Sequence, residues 1–259
     1  MPRFIDLKQG FAQIVTDPHC LAKVLLGGFL LINPFLLALI PTYAAGLADP
    51  NAAVGWVQQV FPYILAFNVL TFWFPLGFTY EVLRRARSGK GRQLPDWSFS
   101  VLPRYAYEGS VKLIIAITTL LLPVGVYMGA VYGLFFHLLG LPMSLMAMFV
   151  QPIMLFVIPF CGVACCRWLD GAGVLDCAFN YAENIRLFKL GWKDYLIAST
   201  FLIGVNSVTT AFYYTIPFGA VFGLCLVDTW FGPIYAETVA TAAPVAQPKA
   251  ERVLETSKV

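Results

Sequence analysis

Long uninterrupted apolar stretches, each about long enough to cross a lipid bilayer, dominate the chain. A transmembrane helix needs about 20 apolar residues, because an α-helix rises about 1.5 Å per residue. A longer tract, Tyr195 to Tyr235, divides at Ile216 and Pro217 into two such stretches. The six predicted spans are about His19–Ile40, Val57–Tyr80, Val111–Leu138, Ser144–Cys166 and the two halves of Tyr195–Tyr235. The pattern predicts an all-α, polytopic membrane helical bundle.

Two shorter segments alternate apolar and polar residues at helical spacing, which is typical of a helix lying in the membrane interface. The first is near the N-terminus, where Asp17 and Pro18 then predict a helix cap and a helix start. The second covers about residues 174–189. The apolar positions are Phe4, Leu7, Phe11 and Ile14 in the first segment, and Leu175, Ala178, Phe179, Ala182 and Ile185 in the second.

Domain boundaries follow from the same pattern. Residues 1–237 are predicted to form the membrane domain. Residues 238–259 are rich in Ala, Pro, Lys and Glu without apolar periodicity, and we predict that they form a disordered cytoplasmic tail.

Composition excludes several classes of protein. Only 12% of the residues are charged and 59% are hydrophobic, whereas about a quarter of the residues of a soluble domain are charged. A net charge of +3 is too small for a nucleic-acid-binding domain. The continuous apolar runs also argue against an outer-membrane barrel, whose strands would alternate.

The basic residues indicate the orientation. In the six-span arrangement all 17 Lys and Arg residues fall on one side, and cytoplasmic loops are the ones enriched in these residues. Both termini are therefore predicted to be cytoplasmic, in a multi-pass protein of the cell inner (cytoplasmic) membrane. The largest basic segment is the predicted loop 81–110.

The order of the segments resembles the bacterial and archaeal membrane-protein family catalogued as "domain of unknown function 4013". The resemblance extends from about Phe11 to Glu237 and is most specific between Gly77 and Trp97, although Phe78 departs from the Tyr expected there. It implies a membrane fold and this topology, and it implies no activity. The residues that carry it are Asp17-Pro18, Leu25–Leu30, Gly77–Arg85, Ser88–Gly91, Leu94–Trp97, Ala178–Asn180, Asp194–Leu196 and Ile216–Gly219.

Two Gly-x-x-x-Gly motifs lie in the third and sixth predicted spans: Gly129 with Gly133, and Gly219 with Gly223. Small residues four apart let two helix backbones approach closely. They indicate either partner binding or packing within the bundle, and we favour packing within the bundle.

Asp228 is the acidic residue furthest inside an apolar span, about 10 Å from the inner end of the sixth helix. An intramembrane acid is a functional candidate, because a carboxylate there must be protonated, paired or hydrated. No basic residue is expected at its depth. Its candidate partners are Ser199, Thr200 and Asn206 of the fifth span.

The loop from Arg84 to Trp97 offers two interpretations. Arg84 and Arg85 match the positive-inside signal or an attraction to anionic lipid. In Leu94-Pro95-Asp96-Trp97, Pro95 fixes a bend, Asp96 can cap a turn or pair with an Arg, and Trp97 can return to the interface. We favour an element that docks the loop under the bundle over a partner-binding surface.

No catalytic motif is present, so we predict that the protein is not an enzyme and holds no metal or cofactor. The six cysteines are interpreted as small buried apolar residues. The leading hypothesis is an accessory or scaffold subunit that contacts the lipid bilayer and other integral membrane proteins. The alternatives are a small transporter or permease component that uses Asp228 and, lower, a pigment-associated photosynthetic subunit with His19 or His137 as ligand.

Overall fold

The computed structural model describes residues 7–49, 54–89, 93–209 and 211–242. Within these ranges the chain is helical and contains no strand, which confirms the all-α fold. Two π-helical segments, Ile117–Leu121 and Tyr132–Leu138, flank α7. The α-helices are α1 (Leu7–Val15), α2 (Cys20–Leu31), α3 (Pro34–Ala48), α4 (Gly55–Thr71), α5 (Trp73–Arg87), α6 (Leu102–Ala116), α7 (Leu122–Val131), α8 (Met146–Leu169), α9 (Val174–Phe179), α10 (Tyr181–Leu190), α11 (Trp192–Thr209) and α12 (Ile216–Ala242).

Among the described residues, five helical stretches are long and apolar enough to cross a membrane. The predicted fifth span corresponds to α11, which is not among the five, because Lys193, Asp194 and Asn206 make its 18 residues more polar. It nevertheless packs beside α12 and α8. The five stretches are Cys20–Ala48, Gly55–Arg87, Leu102–Leu138, Met143–Leu169 and Tyr213–Thr241.

The central helix of the bundle is α12. In its most apolar window 67% of the residues are buried, against 22% in the stretches Gly55–Arg87 and Leu102–Leu138. It contacts α1, α2, α5, α8, α10 and α11. Val221, Cys225 and Leu226 are completely buried there. The other spans are therefore arranged around α12 and turn most of their own surface outward.

The closest helix pair is α5 with α6, and two glycines make the approach possible. A Cβ atom on Gly77 would overlap the backbone carbonyl of Tyr105, and one on Gly109 would overlap the carbonyl of Trp73. The two backbones thus touch without intervening side chains, as small residues permit in membrane helix pairs. This contact fixes α5 relative to α6, and these two helices carry the arginine network described below.

The first two spans are each interrupted, the first between α2 and α3 and the second at Phe72 between α4 and α5. The two interruptions lie side by side. Between α2 and α3, Ile32 is extended, and the Asn33 N–H donates to the Asn68 side chain at 2.7 Å. The Asn68 amide donates to the Leu31 carbonyl at 2.9 Å, and the Thr71 hydroxyl donates to the Leu30 carbonyl at 3.0 Å. These bonds satisfy groups that the break removes from the helix ladder, which lipid could not do.

Several predicted boundaries differ from the structure. The predicted loop 81–110 is shorter, because α5 continues to Arg87 and α6 begins at Leu102. The predicted tail begins later, since α12 continues to Ala242 and buries Thr238 against Gly191. Residues 243–259, and Phe4 of the first amphipathic stripe, lie outside the described residues.

The predicted interfacial helix 174–189 is two short helices, α9 and α10. They separate at Asn180, whose side chain caps α10 by accepting from the Glu183 N–H. Leu175 and Phe179 of the predicted apolar face are 71% and 57% exposed, whereas Cys177 and Leu187 are buried. The pair packs on the bundle through one side, which includes the buried Ala178 of the predicted face, and turns Leu175, Phe179 and Ile185 outward, as expected at a membrane interface.

Candidate functional site

The predicted docking element Leu94–Trp97 is held against the start of the first span by a cluster of hydrogen bonds. The buried Asp17 carboxylate accepts from the backbone N–H of His19 at 2.8 Å and of Leu94 at 3.0 Å. Lys23 lies 2.9 Å from Asp17 and 2.8 Å from Asp96, and it also donates to the Leu94 carbonyl at 3.0 Å. We call Asp17, Lys23, Leu94 and Asp96 the elbow cluster.

Two predicted roles in the elbow cluster are corrected. Asp17 does not cap the helix itself, because α2 begins at Cys20 and its cap position is His19. Asp96 pairs with Lys23 rather than with an arginine. Burial raises the pKa of Asp17, but the hydrogen bonds and the charge of Lys23 outweigh it and hold the pKa below its ordinary value.

Trp97 completes the docking from the other side. Its ring stacks on Phe78 with centroids 4.6 Å apart, and it meets Tyr105 edge-on at 5.7 Å. Its indole N–H donates to the Lys23 carbonyl at 3.2 Å, and the Tyr105 hydroxyl donates to the Asp96 carbonyl at 3.1 Å. Pro95 is buried beside them. The interpretation of this segment as a docked element is thus supported by its contacts.

Three arginines of the basic segment, Arg84, Arg85 and Arg104, pair with the carboxylates of Glu81 and Glu108. Arg84 lies 2.5 Å from Glu81 and 2.6 Å from Glu108, and Arg104 lies 2.5 Å and 2.9 Å from the same two carboxylates. Arg85 lies 3.3 Å from Glu81. This network joins α5 to α6 across their close contact. Arg84 and Arg85 therefore act in the fold, which leaves less free charge on this surface than the sequence indicated.

Asp228 has a cationic partner. Lys112 Nζ lies 2.6 Å from its carboxylate and 2.9 Å from the Thr79 hydroxyl, and both charged residues are buried. The expectation that no basic residue reaches this depth is wrong. Because α6 begins at Leu102, Lys112 stands ten residues inside a helix rather than in the loop. Of the candidate partners, Ser199 is buried and Thr200 bonds to its own helix at the Leu196 carbonyl.

The two Gly-x-x-x-Gly motifs have different surroundings. Gly219 and Gly223 face α11, where a Cβ atom would meet Thr209 and Asn206. Packing within the bundle is therefore correct for this pair, and Asn206 takes part in it. Gly129 and Gly133 have no neighbour within 4 Å of a Cβ position, and Gly125 one turn earlier is equally open. For them the expectation of packing within the bundle is wrong.

Neither the cysteines nor the histidines assemble a metal site. Five of the six cysteines are buried and all are free of disulfides. Among the described residues no three His, Cys, Asp or Glu side chains are grouped so that they could hold a metal ion. His19 and His137 are both exposed.

Three polar residues important for the fold were not singled out from the sequence: Asn33, Asn68 and Lys112. Their residue type could have identified them, since amide and charged side chains are rare within apolar spans and usually have partners there.

Comparison with known proteins adds no relative: no protein-family model, curated protein or solved structure matches this chain. The resemblance to the family of unknown function stays a prediction.

Proposed function

We propose that this protein is a non-enzymatic accessory or scaffold subunit that binds another integral membrane protein through the open face of α7 and of the π-helical segment that follows it. The observation that carries the proposal is the row Gly125, Gly129 and Gly133, each without a neighbour within 4 Å of a Cβ position. Such a row lets a second helix approach backbone to backbone. Val126, next to Gly125, is 67% exposed. The face is therefore apolar and carries no side chains along the glycine row.

We also propose that the protein lies in the cell inner membrane. The end of the bundle that carries Arg87 and Asp170 would face the cytoplasm. In support, the ends of α5, α8 and α12 meet there: Arg87 lies 3.4 Å from Asp170 and its guanidinium lies over the Tyr235 ring. The described start of the chain is near this end too, since the Trp230 indole donates to the Leu7 carbonyl at 3.3 Å. The proposal places both termini in the cytoplasm, because cytoplasmic segments are enriched in Lys and Arg.

Purification from native membranes in a mild detergent, followed by sizing and mass spectrometry, tests the proposal. We expect a complex that contains a second membrane protein and that Gly129→Leu or Gly133→Leu disrupts. Gly204→Leu is the matched control, because Gly204 is also open but lies on α11. A lone monomer, or equal loss in all three variants, would count against the proposal; a complex of identical chains would make the partner a second copy.

A second candidate, a small transporter or permease component, is favoured by one observation. The breaks at Ile32–Asn33 and at Phe72 interrupt two neighbouring spans side by side, and paired interrupted helices occur at the binding sites of secondary transporters. Asp228 would be its ionisable group. Proton flux into proteoliposomes, followed with a pH-sensitive dye, should then be lost in Asp228→Asn and retained in Asp96→Asn. Unchanged flux in Asp228→Asn would remove the acid from the proposed role.

A further inference from the structure

An apolar cleft of about 510 Å³ opens beside α12, between α2 and the end of α11 at Thr209. Its floor is α12, through Phe218, Gly219 and Phe222. One wall is α2, with Leu21 and Val24, and the far end is closed by Thr209 and Thr215. The near end is formed by Val15, Asp17, Pro18 and Cys20, next to the elbow cluster.

The cleft is held open by contacts on both sides of α12. On one side Gly27 and Gly28 press α2 against Val221 and Phe218, and on the other Gly219 presses α11 through Thr209. Each of these contacts is already at its closest approach, because an added Cβ atom would overlap its neighbour. Neither α2 nor α11 can therefore shift inward along α12 to fill the space between them.

The polar groups at the two ends of the cleft are already satisfied. The hydroxyls of Thr209 and Thr215 donate to the carbonyls of Val205 and Phe212. Asp17 is engaged within the elbow cluster. The cleft offers its occupant an apolar surface throughout, with charge only at the end where the elbow cluster lies.

We propose that this cleft binds one acyl chain of a membrane phospholipid, with the headgroup at the level of the elbow cluster. The stretches that contain α2 and α12 are long and apolar enough to span a membrane, so a cleft between these helices would open to hydrocarbon and would suit an apolar occupant. The volume favours a lipid chain over a partner helix, because a helix about 10 Å across occupies roughly 800 Å³ in each 10 Å of its length. Leu21, 72% exposed at the edge, would cover the bound chain.

Photolabelling tests the proposal. The protein is placed in nanodiscs of phosphatidylcholine that carries a diazirine on one acyl chain, and the labelled residues are mapped by mass spectrometry. Phe218 and Phe222 should be labelled severalfold more than Leu70 and Val208, which are 70% and 76% exposed and represent ordinary lipid contact. Labelling of Phe218 and Phe222 no stronger than that of the two reference residues would mean that the cleft is empty or filled by protein, and would overturn the proposal.

A blocking variant makes the test specific. Leu21→Trp places a larger side chain over the cleft and should reduce labelling of Phe218 and Phe222 to the level of the reference residues. Val126→Trp, on the exposed side of α7, is the control and should leave the labelling unchanged. If Leu21→Trp does not reconstitute, Thr215→Phe fills the far end instead. Retention of the cleft labelling in a folded blocking variant would contradict the assignment.

Discussion

Lys112 and Asp228 form an ion pair across 2.6 Å in the interior of the bundle, between α6 and the central helix α12. Because both side chains are buried, neither has water to replace a lost partner. Removing one member of a buried pair typically costs about 3–5 kcal/mol, whereas replacing both by apolar residues is often nearly neutral. The pair therefore makes a prediction that a single substitution and a double substitution can separate.

We expect Lys112→Met and Asp228→Leu to be strongly destabilising one at a time, and the double variant to recover most of the loss. Unfolding of the detergent-solubilised protein in increasing SDS measures this. Lys189→Met, at an exposed lysine, is the control and should change little. A double variant as unstable as the sum of the single ones would show that the pair is not an energetic unit.

The crossing of α5 and α6 predicts a steric penalty. Gly77→Ala or Gly109→Ala puts a methyl group into a neighbouring backbone carbonyl, and overpacking of this kind costs about 1–3 kcal/mol. Gly204→Ala meets nothing within 4 Å and should be neutral or slightly stabilising, since Ala is the better helix former. Thermal unfolding in one detergent compares the three variants; equal midpoints would contradict the close contact.

The helix breaks at Asn33 and Phe72 predict that the Asn68 side chain contributes more to the stability of the fold than an exposed amide side chain does. Asn68→Leu leaves the Asn33 N–H and the Leu31 carbonyl without their partner, and each buried group left unsatisfied costs about 1–3 kcal/mol. Gln59→Leu, at an exposed amide of the same helix, serves as the control. A larger fall in stability for Asn68→Leu is expected in SDS unfolding, and similar values for the two variants would count against the proposed role.

The elbow cluster predicts a loss of stability in acid. The folded-state pKa of Asp17 is lowered from an ordinary value of 3.8, so its contribution is fully present above that ordinary value. It is lost as the pH falls through the lower, folded-state pKa. The difference in unfolding midpoint between the protein and Asp17→Asn should shrink as the pH is lowered from about 6 to about 3. A difference that stays constant over this range would exclude the depressed pKa.

The spans were predictable from the sequence because bilayer thickness imposes a length that apolar runs report directly. The docking of Leu94–Trp97 was predictable too, since Pro95 fixes a bend, Asp96 can form an ion pair and Trp97 can pack back against the bundle. The burial of Lys112 was not predictable, because its position near the predicted loop boundary concealed how early α6 begins. A shift of the helix start to Leu102 changed Lys112 from a topology signal into the partner of Asp228.

The breaks at Asn33 and Asn68 could not be inferred because hydropathy averages over a window and does not register a single extended residue such as Ile32. The glycine motifs show a related difficulty. Gly129-Gly133 and Gly219-Gly223 have the same spacing, and only the position of α11 decides that one pair is covered and the other open. The spacing of glycines predicts that a helix face permits close packing. The positions of the neighbouring helices determine whether another helix of the bundle packs there.

The central position of α12 has a consequence for biosynthesis. The spans that surround α12 are synthesised before it, so they enter the bilayer without the surface on which they finally pack. They must remain loosely associated in lipid until α12 arrives, and α1 gains its contact with Trp230 only then. Assembly of this bundle is accordingly completed by its last described helix, and a ribosome halted before Ile216 would leave inserted helices, such as the α5–α6 pair, without the helix around which they pack.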